Sequence, residues 1–205
     1  MPIERLILVD VRADVAEAFE RHFGDVDAVE VVRGRFEDLP AYDCMVSAAN
    51  SFGLMDGGVD GAITRYFGLQ LMDRVQRHIL DDWFGEQPVG TSFIVPTDHA
   101  EHPWLAHTPT MRVPRDIRGT DNVYVAMLAM LQAVARHNRS DAPAIRTVAC
   151  PGLGTATGRV PAWEAARQMR VAWNAATDPI TQITWPNAKV RHHAVAWRGE
   201  PQRKW

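Results

Sequence analysis

The chain has little of several things, and each shortage narrows its function. Cysteine is scarce: only Cys44 and Cys150 occur in 205 residues, far apart and each inside an apolar run. They read as buried, reduced thiols rather than as a disulfide framework, which makes the cytoplasm the expected compartment. Net charge is nearly absent, at -3 from 22 basic and 25 acidic side chains. No general attraction for nucleic acid follows from that balance, so an anionic ligand must be recognised locally. No apolar run approaches the roughly 20 residues that cross a bilayer, and the opening MPIERLILVDVRAD has acidic residues where a secretory leader would stay apolar. No membrane partner is expected. Repeats, linkers and low-complexity stretches are also missing, which favours one domain over residues 1–205, with the tail after about residue 179 unassigned.

What is present is an ordinary globular composition, 46% hydrophobic and 23% charged, arranged as alternating strands and helices. Short apolar runs at Ile3 to Val9, Ala28 to Val32, Tyr42 to Ala49, Thr91 to Val95, Leu105 to Val113 and Ala144 to Ala149 read as strands. Helical spacing marks Ala13 to Phe23 and Gly119 to His137, and a third helix starts at Pro161 and runs through Met169 to Ala175. Ile63, Phe67, Leu71, Val75 and Ile79 recur every four residues, predicting one long amphipathic helix from Val59 to near Phe84. Strand, turn and helix in this order predict an α/β fold, a largely parallel or mixed central sheet covered on both sides. Trp197 and Trp205 in the tail are candidates to pack over it.

Two glycine-rich turns follow apolar strands. SAANSFGLMDGGVDGAI starts at the C-terminal end of the Tyr42 to Ala49 strand, where open α/β sheets place ligands. Ala48 and Ala49 allow close approach, while Gly57 and Gly58 can present successive N–H groups to oxygen atoms. The helix starting at Val59 adds free amides and a dipole suited to phosphate. Asn50 has the short donor–acceptor side chain that fixes ribose hydroxyls; the alternative is a turn-former after the strand. Asp60 is either a cap of the first helical turn or a site carboxylate. The second turn, PGLGTATGRVP, follows the Ala144 to Ala149 strand. Gly152, Gly154 and Gly158 permit a tight loop, Leu153 and Ala156 complete it, and Thr155 and Thr157 can donate to phosphate oxygens. Neither turn is a P-loop or a GxGxxG fingerprint. Two amide-rich loops on neighbouring strands can clamp two phosphates.

These residues resemble the macro domain family. Its first motif is similar to NAANxxLxGGGGVDGAI, here SAANSFGLMDGGVDGAI from Ser47 to Ile63, and GLGTATGRVP resembles its second phosphate loop. The resemblance implies a three-layer α/β/α fold with a central mixed sheet, spanning roughly Ala28 to Ala175, that binds ADP-ribose. It further implies a hydrolase that removes ADP-ribose from a modified protein or nucleic acid, or processes a derivative, with neither cofactor nor metal. By the same resemblance Asn50 orients the distal ribose and Asp60 positions or activates water. Gly57, Gly58 and Val59 lie at one end of the diphosphate and residues 154–158 at the other. A binding module without turnover is the first alternative, an enzyme for another nucleotide diphosphate or cyclic phosphate the second. The chain departs from the pattern where Ser47 replaces the first Asn, where Met55 and Asp56 replace two glycines, and where Gly34-Arg35-Phe36 stands for Gly-Asp-Ile, whose Asp binds the adenine amino group. Arg35 cannot accept that bond; Glu37 and Asp38 are the neighbouring carboxylates.

Other clusters are weaker. Asp98, His99, His102 and His107 have chemically adequate metal ligands, but Pro103 and Trp104 interrupt them, so a structural or lid role is expected. His192 and His193 read as surface residues of the tail. Arg112, Arg115 and Arg118 read as a solvated loop, with contact to an ADP-ribosylated nucleic acid as the alternative. Oligomeric state is left open.

Overall fold

Strand β1, Arg5–Asp10, shows why the strands read as continuous apolar runs. Its side chains alternate between two cores: Leu6 and Leu8 enter one, Ile7 and Val9 the other. The structure, a computed structural model, describes residues 3–140 and 142–199. After β1 come α1 (Ala13–Phe23), β2 (Val29–Arg33), a short 3-10 turn at Phe36–Asp38 and β3 (Cys44–Ser47). Helices α2 (Gly58–Phe67) and α3 (Gln70–Trp83) precede β4 (Phe93–Pro96) and β5 (Trp104–His107). Then follow α4 (Asn122–His137), β6 (Thr147–Cys150), α5 (Ala162–Thr177) and α6 (Trp185–Val195).

The strands form one mixed sheet in the order β2-β1-β6-β3-β5-β4. Only its edge strand β4 runs antiparallel, pairing Phe93 with His107 and Pro96 with Trp104. The parallel pairs set the register: Leu6 lies opposite Val29, Arg5 opposite Thr147, and Cys44 opposite both Val148 and Trp104. Helices α1, α4 and α5 cover one face through Phe19, Met127, Met130, Met169 and Trp173. Helices α2 and α3 cover the other through Ile63, Phe67, Leu71, Val75 and Ile79. The fold is the expected three-layer α/β/α arrangement. Among the described residues no helix is long and apolar enough to cross a membrane.

One expectation is corrected, and the unassigned tail is filled in. The long helix from Val59 to Phe84 is two helices, broken at Gly68 (φ 97), whose N–H closes on the Thr64 carbonyl while Leu69 turns out to solvent. All five residues of the four-residue recurrence are buried in one core, so the apolar period survives a break in the backbone. The tail also contains a helix, α6, which carries no apolar stripe: its only buried residue is Val195. It starts with Thr184 accepting from the Asn187 amide and Pro186 in the first turn, and ends on the guanidinium of Arg167, which donates to the carbonyls of Ala194, Val195 and Ala196. Trp197 packs against the first core; Trp205 lies outside the described residues.

Candidate functional site

Strands β6 and β3 are neighbours, yet the helices that follow them leave for opposite faces, α5 to one and α2 to the other. The chain therefore diverges at their C-terminal ends and opens a crevice there. A cavity of about 740 Å³ occupies it, lined by the segments that follow β1, β2, β3, β5 and β6. Ala48, Ala49, Asn50, Gly57, Gly58, Val59 and Asp60 line one wall; Gly152, Gly154, Thr155, Ala156, Thr157 and Gly158 line another. The two glycine turns, a hundred residues apart in sequence, thus share one cavity.

The first turn is built by Asn50. Its Oδ1 accepts from the amides of Phe52 and Leu54 at 3.0 and 3.3 Å, and its Nδ2 donates to the Leu54 carbonyl at 2.8 Å. The turn-forming role is therefore real, and it leaves one amide hydrogen for a ligand. Gly58 has φ 55, in the left-handed region, and a Cβ on Gly57 or Gly58 would meet nothing within 4 Å. Both glycines present bare backbone to the opening. No side chain caps α2, so the first-turn amides of Gly58, Val59 and Asp60 lack an intrahelical acceptor and carry the positive end of the dipole.

Asp60 sits in the first turn of α2 and is 6% exposed. Ser47, in place of the family's first Asn, donates through Oγ to Asp60 Oδ1 at 2.7 Å. Thr64 Oγ1 bridges the carbonyls of Asp60 and Met55, fixing this turn to the preceding loop. Burial pushes the Asp60 carboxyl up to about 6; the Ser47 hydrogen bond opposes the rise and the charge of Asp56 adds to it. At neutral pH the group is an anion held against its own desolvation.

The second turn owes its glycines to close approach. A Cβ on Gly152 would lie 2.8 Å from Asp10 Oδ2, and one on Gly158 would lie 2.5 Å from the Gly154 carbonyl. Gly154 has φ 70. The carbonyls of Gly154, Ala156 and Gly158 accept from Val160, Arg159 and Ile117, and Arg12 donates to the Thr155 carbonyl at 2.8 Å. Among the described residues the amides of 154–158 find no acceptor. Carbonyls tied back and amides left open make a nest for an anion. Two details differ from expectation. Thr155 is buried and its hydroxyl donates to the Gly152 carbonyl at 3.0 Å, so Thr157 alone keeps an open hydroxyl. Leu153 points into the first core and does not line the cavity, because the tight turn sends alternate side chains inward.

Beyond the amides, the cavity lining holds Arg35, which donates to Glu37 Oε1 at 2.7 Å; both side chains line the wall after β2, whereas Asp38 does not. Sequence reasoning missed Asp10, Arg12 and Arg65. Asp10 accepts from the amides of Arg12 and Gly152 at 2.9 and 3.2 Å and so locks the β1 and β6 turns together. Its position at the C-terminal end of a parallel strand was the available signal.

The histidines do other work. His99 and His102 stack at 4.8 Å, with Tyr42 on His102 at 3.9 Å, and Asp98 pairs with Arg74. His107 is fully buried, with Nδ1 2.6 Å from Gln87 Oε1, and burial drives it down to about 3. His192 and His193 are adjacent on α6. Arg112 pairs with Glu86 and Arg118 with Asp116. Cys44 and Cys150 are free and buried, their thiols pushed far up by desolvation.

A macro domain family model matches residues 46–169, the stretch that contains both glycine turns. An uncharacterized protein of Aquifex aeolicus (strain VF5) is 32% identical over 69% of this chain and 78% of its own length. Among solved structures, an Oceanobacillus iheyensis macrodomain mutant with ADPR superimposes with TM-score 0.59 at 17% identity, covering 94% of this chain and 92% of that one. Thermosipho africanus DarTG in complex with ADP-ribose gives 0.56 at 11% identity, over 89% and 55%. The family model spans more than half of the sequence: this chain belongs to the macro domain family.

Proposed function

We propose that the cavity binds ADP-ribose and that the protein removes it from a modified macromolecule. The diphosphate sits between the α2 amides and the 154–158 nest, the adenine end lies toward Glu37 and Arg35, and the distal ribose lies over Asn50 and Asp60. The observation that carries this reading is the meeting of two amide-rich turns with a buried carboxylate in one cavity. Each hydrogen bond to a charged oxygen is worth roughly 1.5–3 kcal/mol. Four or five of them, less the cost of association, give affinity on the order of micromolar. Solved neighbours that carry ADPR or ADP-ribose support the ligand class.

In the reaction, the remaining Asn50 amide hydrogen orients a ribose hydroxyl. Asp60, ionised above about pH 6, accepts a proton from water. That water forms the new bond to the anomeric carbon, the bond to the linking atom breaks, and the departing group takes up a proton. The buried free thiols fit a reducing compartment, and we place the protein in the cytoplasm.

A specific observation favours a second reading, a binding module: Asn50 spends most of its bonding capacity on its own turn. One assay separates the two. Incubated with ADP-ribosylated protein and with ADP-ribosylated DNA, the wild type is expected to release ADP-ribose, and Asp60→Ala is expected to lose that release while still binding. Tight binding without release by the wild type would establish the binding module instead.

A further inference from the structure

Three guanidinium groups line the cavity, and they are not equivalent. Arg12 is paired with Asp14 and Arg35 with Glu37. Arg65, on the last turn of α2, is exposed and makes neither an ion pair nor a hydrogen bond among the described residues. Four carboxyl groups, Asp10, Glu37, Asp56 and Asp60, share the same lining. An anionic ligand therefore enters a cavity in which, among the described residues, Arg65 is the only uncommitted cation.

Its placement is specific. Side chains of a helix lean toward its N-terminus, so Arg65 lies back over Gly61, one turn earlier. The point a Cβ would occupy at Gly61 is 3.3 Å from Arg65 Nη1 and 3.1 Å from the Asp56 carbonyl oxygen. Any larger residue at 61 would fill the space in which the guanidinium rests. Gly61 thus lets a positive charge from the last turn reach the first turn of α2, where the open amides of Gly58 and Val59 begin.

We propose that Arg65 is a ligand-binding residue that grips the diphosphate from the α2 side, opposite the 154–158 nest, and selects dianionic ligands over uncharged nucleosides. This role rests on the reading of the cavity given above. The planar fork suits two oxygens of one phosphoryl group, which neutral amides hold in direction but do not neutralise.

The test is calorimetric titration of wild type, Arg65→Gln and Arg65→Lys with ADP-ribose and with adenosine, at low and high salt. Arg65→Gln is expected to weaken ADP-ribose about 10- to 100-fold while leaving adenosine affinity and the melting temperature unchanged. The wild type should lose more affinity with salt than the variant does. Arg65→Lys should recover part of the loss. Equal ADP-ribose affinity in wild type and Arg65→Gln overturns the role of Arg65 alone, as does an equal fall for adenosine. Failure of the wild type to bind ADP-ribose overturns the reading of the cavity and this role with it.

Discussion

Replacing Asp60 with Asn should make the protein more stable and less active, and the gain should depend on pH. The carboxyl is buried, accepts one hydrogen bond from Ser47, and is raised from the usual 3.8 to about 6. Below pH 3.8 the group is protonated in both the folded and the unfolded chain, and it costs nothing. Between 3.8 and 6 the unfolded chain ionises first, so stability falls as pH rises; above 6 the full cost is present. A rise of this size corresponds to about 3 kcal/mol at pH 7.5 and about 1 kcal/mol at pH 4.5. Asn keeps an oxygen for Ser47 and carries no charge, so Asp60→Asn should recover most of that. For a chain of this length the gain at pH 7.5 is roughly 6–12 °C in melting temperature. Chemical denaturation of both proteins at pH 7.5 and 4.5 measures it. A gap that does not shrink at the lower pH, or a variant less stable at pH 7.5, would refute the assignment of a strained buried anion.

If Asp60 is the base, turnover of an ADP-ribosylated substrate should fall about tenfold for each pH step below 6; a flat profile down to pH 5 would remove it from that role. Gly57→Ala adds a methyl that meets nothing within 4 Å, so stability should hold within about 0.5 kcal/mol while ADP-ribose affinity drops at least about tenfold from crowding beside the phosphate; unchanged affinity would place the ligand elsewhere. Arg167→Leu strands the buried Glu164, to which Arg167 donates at 2.6 and 2.9 Å, and unties the end of α6. A loss of about 3–5 kcal/mol is expected, less in the Glu164→Leu/Arg167→Leu double variant, as read by urea melts; a single variant as stable as wild type would contradict it. Gly68→Ala forces a side chain to φ 97 with its Cβ 2.3 Å from Gln70 Oε1 and should cost about 1–3 kcal/mol, with equal melting temperatures as the opposing result.

The fold was legible because two-sided burial leaves a plain mark. β1, β3 and β6 carry apolar side chains on both faces and read as unbroken runs, and the turn after β6 has Gly158 where backbone approaches backbone. The break at Gly68 was hidden because Ile63, Phe67, Leu71, Val75 and Ile79 face one core on both sides of it. Helix α6 was hidden for the opposite reason: it is held by Arg167 at its end and not by an apolar stripe of its own. At the site, the glycines, Asn50 and Asp60 announced themselves by spacing. Asp10 and Arg65 did not, since one acts through a contact 142 residues away and the other through the gap left by Gly61. Thr155 shows the limit of residue type as evidence, because its hydroxyl serves the loop and not the opening.

Amide chemical shifts followed by NMR during an ADP-ribose titration address the central claim most directly. Saturation on the order of micromolar is expected, with the largest movements at Gly58, Val59 and residues 154–158, the two sets moving together. Shifts confined to one turn, or no movement at millimolar ligand, would contradict a diphosphate held between them.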